Sequence, residues 1–223
     1  MYEVGIKSIL MDGSLLFNLA GHDTEYTNLV AQLQTIDPNT GVVLTTTRNG
    51  GVIDAQGIEL ELQYVPTDEW SLGLTAAFLD AEFGEFFQTS PYQLNRGVAT
   101  VPESMKGETP GWSPDFVMNF FAEYTISLAN GGTLTPAIMF AYSDAYNTSN
   151  LYSLDPNHDQ DSYTKTDLRL TWRSESGLYA VVAYIENLED EAVLSRGNNG
   201  SQDNVQTGFL YPQNYGIRFE VRW

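Results

Sequence analysis

Hydrophobic and polar residues alternate with a period of two along most of the chain, and no stretch keeps the period of an amphipathic helix. The last nine residues show it best. Tyr215, Ile217, Phe219, Val221 and Trp223 share one parity, while Gly216, Arg218, Glu220 and Arg222 take the other. The same sorting sets Leu168, Leu170 and Trp172 against Asp167, Arg169, Thr171 and Arg173. Ile58, Leu60, Leu62 and Tyr64 oppose Glu59, Glu61 and Gln63, and Phe116, Met118, Phe120, Ala122 and Tyr124 oppose Asn119, Glu123 and Thr125. Alternate side chains of a strand point to opposite faces, so each segment has one apolar and one polar side. The pattern predicts about nine strands, near residues 2–10, 14–30, 52–65, 70–83, 115–128, 133–146, 163–173, 178–190 and 215–223, with residues 41–49 extending the third.

The connections between these strands alternate in length. Short ones fall at Met11-Asp12-Gly13, Pro66-Thr67-Asp68-Glu69, Ala129-Asn130-Gly131-Gly132 and Ser174-Glu175-Ser176-Gly177. Long polar ones fall near 31–51, 84–114, 147–162 and 191–214. Soluble antiparallel sheets with one wet face also alternate apolar and polar residues. They do not require strict short–long alternation, whereas outer-membrane barrels have short periplasmic turns and long extracellular loops. If the last strand ends on the periplasmic side, Trp70, Trp172 and Trp223 all fall at that interface, where aromatic girdles form. Tyr26, Phe83, Tyr142, Tyr146 and Tyr163 then fall near the opposite girdle. The charged parity collects ion-pair candidates, among them Asp167 and Arg169 with Arg218 and Glu220, as expected of a wet lumen.

Composition narrows the partners. The chain has 223 residues, 10 Lys+Arg against 29 Asp+Glu, and a net charge of −19. No basic surface is available to neutralise phosphates, which argues against nucleic acid. Without cysteine there is no zinc finger, iron–sulfur site, thiol nucleophile or disulfide framework. Aromatic residues make up 13%, too many for a disordered acidic tail. The start, Met1-Tyr2-Glu3-Val4-Gly5-Ile6-Lys7, is strand-like and lacks the layout of a signal peptide. The charge-free run Tyr124 to Ser143 is broken by Asn130-Gly131-Gly132 and Pro136, so it reads as a hairpin rather than a membrane helix.

Candidate chemistry is sparse. The densest set of oxygen ligands is Asp155-Pro156-Asn157-His158-Asp159-Gln160-Asp161, and Asp155, Asp159 and Asp161 are weak candidates for a hard cation such as calcium. The segment lacks the loop pattern and later bidentate Glu of a dedicated calcium site, and a solvated acidic loop is the better reading. Glu59 and Glu61 share one strand face and read as lumen-lining charge rather than a glycosidase pair. His22 and His158 have no nearby nucleophile and acid that would complete a triad. Gly50-Gly51 and Gly131-Gly132 are turn glycines with no following helix, so no phosphate loop is present. The long loops carry Asn, Gln, Asp, Tyr and Trp112, a palette suited to sugars or chelates. The residues give no catalytic signal and imply no cofactor.

Several segments then resemble, in family order, the barrel of a TonB-dependent outer-membrane receptor. They are Tyr2-Glu3-Val4-Gly5-Ile6-Lys7-Ser8, Gly57-Ile58-Glu59-Leu60-Glu61-Leu62 followed by Pro66-Thr67-Asp68, and Leu79-Asp80-Ala81-Glu82-Phe83. The proline-led entry from Pro110 to Tyr124, the segment Asn187-Leu188-Glu189-Asp190-Glu191 and the closing strand Tyr215 to Trp223 complete the set. The resemblance implies an all-β fold: an antiparallel meander of about nine long strands forming part of a transmembrane β-barrel, the last strands of a large plugged barrel. Residues 1–223 would be the C-terminal part of that barrel domain, with the plug and early strands absent. It further implies active uptake of a scarce small-molecule ligand of the siderophore, vitamin or glycan class. Implied partners are outer-membrane lipid and lipopolysaccharide, the barrel-assembly machinery, and TonB with ExbB–ExbD through the missing plug. Tyr215, Phe219 and Trp223 would form the assembly signal, with Trp172 and Trp70 in the membrane girdle. Two other readings stand beside it: a small self-contained outer-membrane barrel or anchor, and a soluble carbohydrate-binding β-domain.

Overall fold

A computed structural model describes residues 1–37, 39, 40, 42–88, 103–148, 158–199 and 205–223. Nine long strands form one antiparallel sheet: β1 (Tyr2–Leu10), β2 (Leu15–Ile36), β3 (Val43–Tyr64), β4 (Trp70–Phe83), β5 (Phe116–Tyr124), β6 (Thr133–Ser143), β7 (Tyr163–Arg173), β8 (Tyr179–Glu186) and β9 (Asn214–Val221). Each pairs with its neighbours in chain order, so the sheet is a meander, with β1 and β9 at its open edges. A short piece, Ile126–Ser127, continues β5 alongside β6. The outcome differs from the sequence pattern in the long connections, where Leu194–Asn199 pairs with Val205–Phe209 inside the connection expected at 191–214. Residues 31–51 are likewise mostly strand rather than a long loop, because β2 and β3 stay paired, across register shifts on either side of Leu29, as far as Ile36 and Val43. The β-branched residues Thr35, Ile36, Val43, Thr45, Thr46 and Thr47 favour extended backbone there.

The short turns are set by local chemistry. Between β1 and β2, Met11, Asp12 and Gly13 all take positive φ, and Gly13 at 95° is where a Cβ would be least tolerated. The Ser14 hydroxyl and N–H both donate to the Met11 carbonyl, closing the turn. Gly131 and Gly177 take the left-handed positions of two further turns, at φ 79° and 70°.

Register turns parity into two sheet faces. On one face run Ile6, Leu19, Leu60, Ala76 and Met118, direct neighbours from strand to strand. This apolar face is bare: Ile217 is 66% exposed and Phe219 76%. On the other face, Lys7 lies opposite Asn18, which lies opposite Glu61, then Thr75 and Asn119. The buried aromatic core lies at neither face's centre. Phe83, Phe86 and Met105 cluster at the long-loop end, with Leu29 and Ile53 packed against them. Phe83, expected in an outer girdle, is therefore a core residue with no exposed surface, because its parity is that of the polar face. Tyr26 and Tyr163 likewise take polar-face parity.

Candidate functional site

The apolar face ends along a slanted line of aromatic residues at the short-turn end. Tyr64 on β3 lies opposite Leu72, and that register row continues through Ala122, Ile138 and Leu168 to Ile185 on β8. The aromatic closing β8 is Tyr179, six residues below Ile185. Between them lie Trp70 and Tyr124, paired with ring centroids 4.7 Å apart, and then Trp172. A slip of six residues (185 − 179) over five strand steps, at roughly 3.3 Å per residue and 4.8 Å per step, corresponds to a slope of about 40°. That matches the tilt of about 35–45° that strands adopt in a membrane barrel. Phe219 on β9 continues the same face and is exposed, as are Trp223 just beyond the strand and Tyr215 at its other end.

The upper edge of the apolar face is set by acids that parity alone would misplace. Asp23, Glu25, Asp54, Asp80 and Glu82 share the parity of the apolar positions. Gly21, Ile58 and Phe78 form the last apolar row, and Asp23, Gln56 and Asp80 form the next. The strands outrun the apolar band, so their face changes solvent without changing side. Stacked Phe78 and Phe116, at 4.4 Å, and Tyr142, 5.8 Å from Phe116, mark this rim.

On the polar face, Asn18 donates to Glu61 at 2.8 Å, and Gln63 to the same carboxylate at 3.1 Å. Glu59 and Glu61 do share this face, as the sequence spacing predicts. The ion pairs differ from those expected. Arg169 reaches across β6 to Glu123 at 3.2 Å, while Asp167 instead accepts the Asn187 N–H at 2.7 Å. Arg218 and Glu220 approach only to 4.0 Å, and both are partly exposed, so that pair contributes little. Two residues apart on one strand, they point the same way but diverge, and Arg218 leans over the Tyr184 ring instead.

At the long-loop end a second set of contacts anchors the connections. Asn187, with φ 54° and almost no exposed surface, accepts the Glu191 N–H and donates to the Glu191 and Tyr211 carbonyls. The Glu189 carboxylate accepts the Thr166 N–H at 2.7 Å and its hydroxyl at 2.5 Å, and Asp190 accepts the Gln213 N–H at 2.9 Å. The segment Asn187–Glu191 thus clasps the ends of β7, β8 and β9. Burial would raise the Glu189 carboxyl's pKa, but the Thr166 bonds and the nearby Lys165 charge hold it below the ordinary carboxylate value. Trp112 packs 5.6 Å from Tyr146, whose hydroxyl is pushed up to about 12 by burial and then by Tyr163. Sequence reading noticed Asn187–Glu191 only as a family likeness; the repeated Asn/Asp/Glu spacing is a turn signal, but its partners lie 20 or more residues away.

The metal candidates are not assembled into a site. Asp155 lies outside the described residues, Asp159 accepts a hydrogen bond from Asn147 at 2.8 Å, and Asp161 is exposed. Among the described residues no three His, Asp or Glu groups converge. His158 is fully buried beside Thr148 and Gly197, and neither ring nitrogen has a hydrogen-bond partner among the described residues.

On the polar face at the long-loop end, a cavity of about 610 Å³ opens between β1–β4 and the chain segment Pro110–Ser113. Its polar lining includes Glu3, His22, Thr24, Tyr26 and Glu59. Gly57 shapes the wall beneath His22: a Cβ there would stand 2.7 Å from the imidazole Nε2 and from the Phe78 carbonyl. Without a side chain at Gly57, the ring can lie against the strand.

A family model described as TonB dependent receptor-like, beta-barrel matches residues 1–188. No curated protein sequence matches the chain. Among solved structures, the siderophore receptor PiuA from Acinetobacter baumannii is similar over 98% of this chain and 28% of its own, at 20% identity and a TM-score of 0.72. The ferric yersiniabactin uptake receptor FyuA from Yersinia pestis is similar over 99% of this chain and 29% of its own, at 18% identity and a TM-score of 0.74. The pyoverdine outer membrane receptor FpvA from Pseudomonas aeruginosa PAO1, bound to pyoverdine, covers 100% of this chain and 29% of its own, at 15% identity and a TM-score of 0.62. At these identities the likeness establishes the fold. The chain spans less than a third of the length of each of these structures.

Proposed function

From its membership of the TonB-dependent receptor β-barrel family, to which this chain belongs, we propose that it forms the C-terminal wall of a receptor importing an iron chelate. The family is one of outer-membrane receptors of Gram-negative bacteria rather than of enzymes, and the outer membrane is where this chain resides. The observation that carries the proposal is the open nine-strand sheet, whose whole length matches part of several siderophore receptors. Its two edge strands need partners, because unsatisfied backbone groups at an open edge are not tolerated in lipid. In this reading the remaining strands complete the barrel around a plug, and TonB, driven by ExbB–ExbD, acts on that plug to release the ligand. The short turns face the periplasm and the long loops face outward. Trp70, Trp172 and Trp223 sit at the periplasmic interface, and Tyr215, Phe219 and Trp223 present the signal for barrel assembly. Lipopolysaccharide and phospholipid contact the apolar face.

The test is uptake of radiolabelled iron chelates by cells carrying or lacking the gene that encodes this chain, in backgrounds with and without TonB. The expected result is loss of uptake of one chelate class on deletion, with no further loss when TonB is also removed. Unchanged uptake of every chelate, or rescue that does not depend on TonB, would overturn the assignment.

A further inference from the structure

We propose that the cavity between β1–β4 and Pro110–Ser113 contacts the imported solute and favours a neutral or cationic solute with N–H donors over a polyanion. The inference rests on the receptor reading and deepens it by naming the charge class of the solute. Three observations carry it.

The cavity is a recess built into the wall. Ala20, Ala55 and Ala81 leave the space open on the polar face, and the segment leading into β5 closes over it. At about 610 Å³ it lies within the size range of small-molecule sites. It lies on the polar face at the level where the apolar face ends, since His22 and Gly57 adjoin the last apolar row of Gly21 and Ile58. That level is reached from the long-loop side without crossing the bilayer.

Of the polar groups lining the recess, Glu3 and Glu59 can only accept, while His22, Thr24 and Tyr26 can also donate. Glu3 lies directly opposite His22, and Glu59 follows two positions from Gly57 on the same face. No Lys or Arg side chain lines the recess, and among the described residues neither carboxylate has a cationic partner. Two carboxylates facing one recess favour a positive guest and repel a polyanion.

Thr24 supplies the third observation. It is only 7% exposed, lines the recess, and its hydroxyl makes no hydrogen bond with another described residue. The hydroxyl oxygen is open to the recess rather than sealed within the protein. A guest group entering the recess can bond to it in place of water, and Tyr26 beside it offers a ring face and a second hydroxyl.

The experiment uses the intact receptor containing this chain, purified in detergent, and three probes read by tryptophan fluorescence. They are a ferric trihydroxamate bearing a free ammonium (a monocation), the same complex with that amine acetylated (neutral), and a ferric tris-catecholate (a trianion). The monocation should bind at least roughly tenfold more tightly than the trianion. Glu3→Gln should shrink that gap by roughly fivefold while leaving the neutral complex within about twofold. Thr24→Val should weaken the neutral complex, and heat-modifiable gel mobility confirms that each variant forms its barrel. A trianion that binds as tightly as the monocation, or a gap unchanged by Glu3→Gln, overturns the inference. Uptake separates the two levels. TonB-dependent entry of the trianion alone leaves the receptor reading standing and removes this one. Entry of none of the iron complexes removes both.

Discussion

The sheet wall and the long-loop end of this chain apply opposite rules to the same residue types. Across the wall, large apolar side chains are bare, with Ile217 and Phe219 mostly exposed. At the long-loop end, Phe83 and Phe86 stack at 5.0 Å and bury themselves with Met105. The wall carries its cations Lys7, Lys165, Arg169 and Arg218 on the opposite, wet face. The difference teaches that burial in protein and burial in lipid are two separate ways of removing apolar surface from water. Where lipid does the work, a strand needs only alternation; where the protein must do it, the residues have to converge.

The comparison breaks most sharply at Phe83. Truncation to alanine there leaves a cavity among Phe86, Met105, Leu29 and Ile53, and should cost about 3–5 kcal/mol of local stability. Amide exchange at the end of β4 and at the Met105 turn, where Phe86 accepts the Met105 N–H, is the measurement. The matching truncation at Phe120, half-way along the apolar face of β5, should be far milder, because lipid refills the space. Equal losses at the two sites would mean that Phe120 is packed against protein.

A charge sharpens the same contrast from the other side. Phe120→Arg should destabilise the intact barrel in lipid vesicles by about 2–4 kcal/mol, the range for Arg or Lys near the bilayer midplane, as read by urea unfolding. Asp80→Asn, on the same face parity but one row beyond Phe78, should change stability by well under about 1 kcal/mol. A large effect at Asp80 would place the membrane boundary higher than the rim defined by Gly21, Ile58 and Phe78.

These positions also show how far the chain could be read without its structure. The nine strands and their two faces were legible because lipid and lumen impose a local period that neighbouring residues reveal on their own. The slant of the aromatic line was not legible, since it is a property of register between strands. Parity also misassigned Phe83 to a girdle, because it records which side a residue faces and not what lies there. The recess around His22 depends on Glu3, Glu59 and Pro110 meeting from distant segments, and no spacing in the sequence announces it. The pairing of Arg169 with Glu123 escaped for the same reason: the partner is two strands away across β6.

The smallest expected effect lies at the clasp, where the wall meets the loops. The Glu189 carboxylate holds the Thr166 N–H and hydroxyl, and these bonds, with Lys165, keep its folded pKa below the ordinary value of 4.5. A carboxyl whose pKa is lower when folded contributes its full stabilisation above the unfolded pKa and loses it as the pH falls through the folded one. The clasp should therefore hold unchanged at neutral pH and loosen only below the ordinary carboxylate range. The reporter is the Thr166 amide, whose protection factor, corrected for intrinsic exchange at each pH, should fall as the solution is acidified past that range. Glu189→Gln removes the titrating group, so its protection should be lower at neutral pH and flat across the same interval. The Ser174 amide, which donates to the Tyr179 carbonyl at the other end of the β7–β8 pair, serves as the internal control because its acceptor does not titrate. If Thr166 stays protected through acidification in the unaltered protein, the carboxylate is a passenger, and the sheet ladder alone holds that end of the wall.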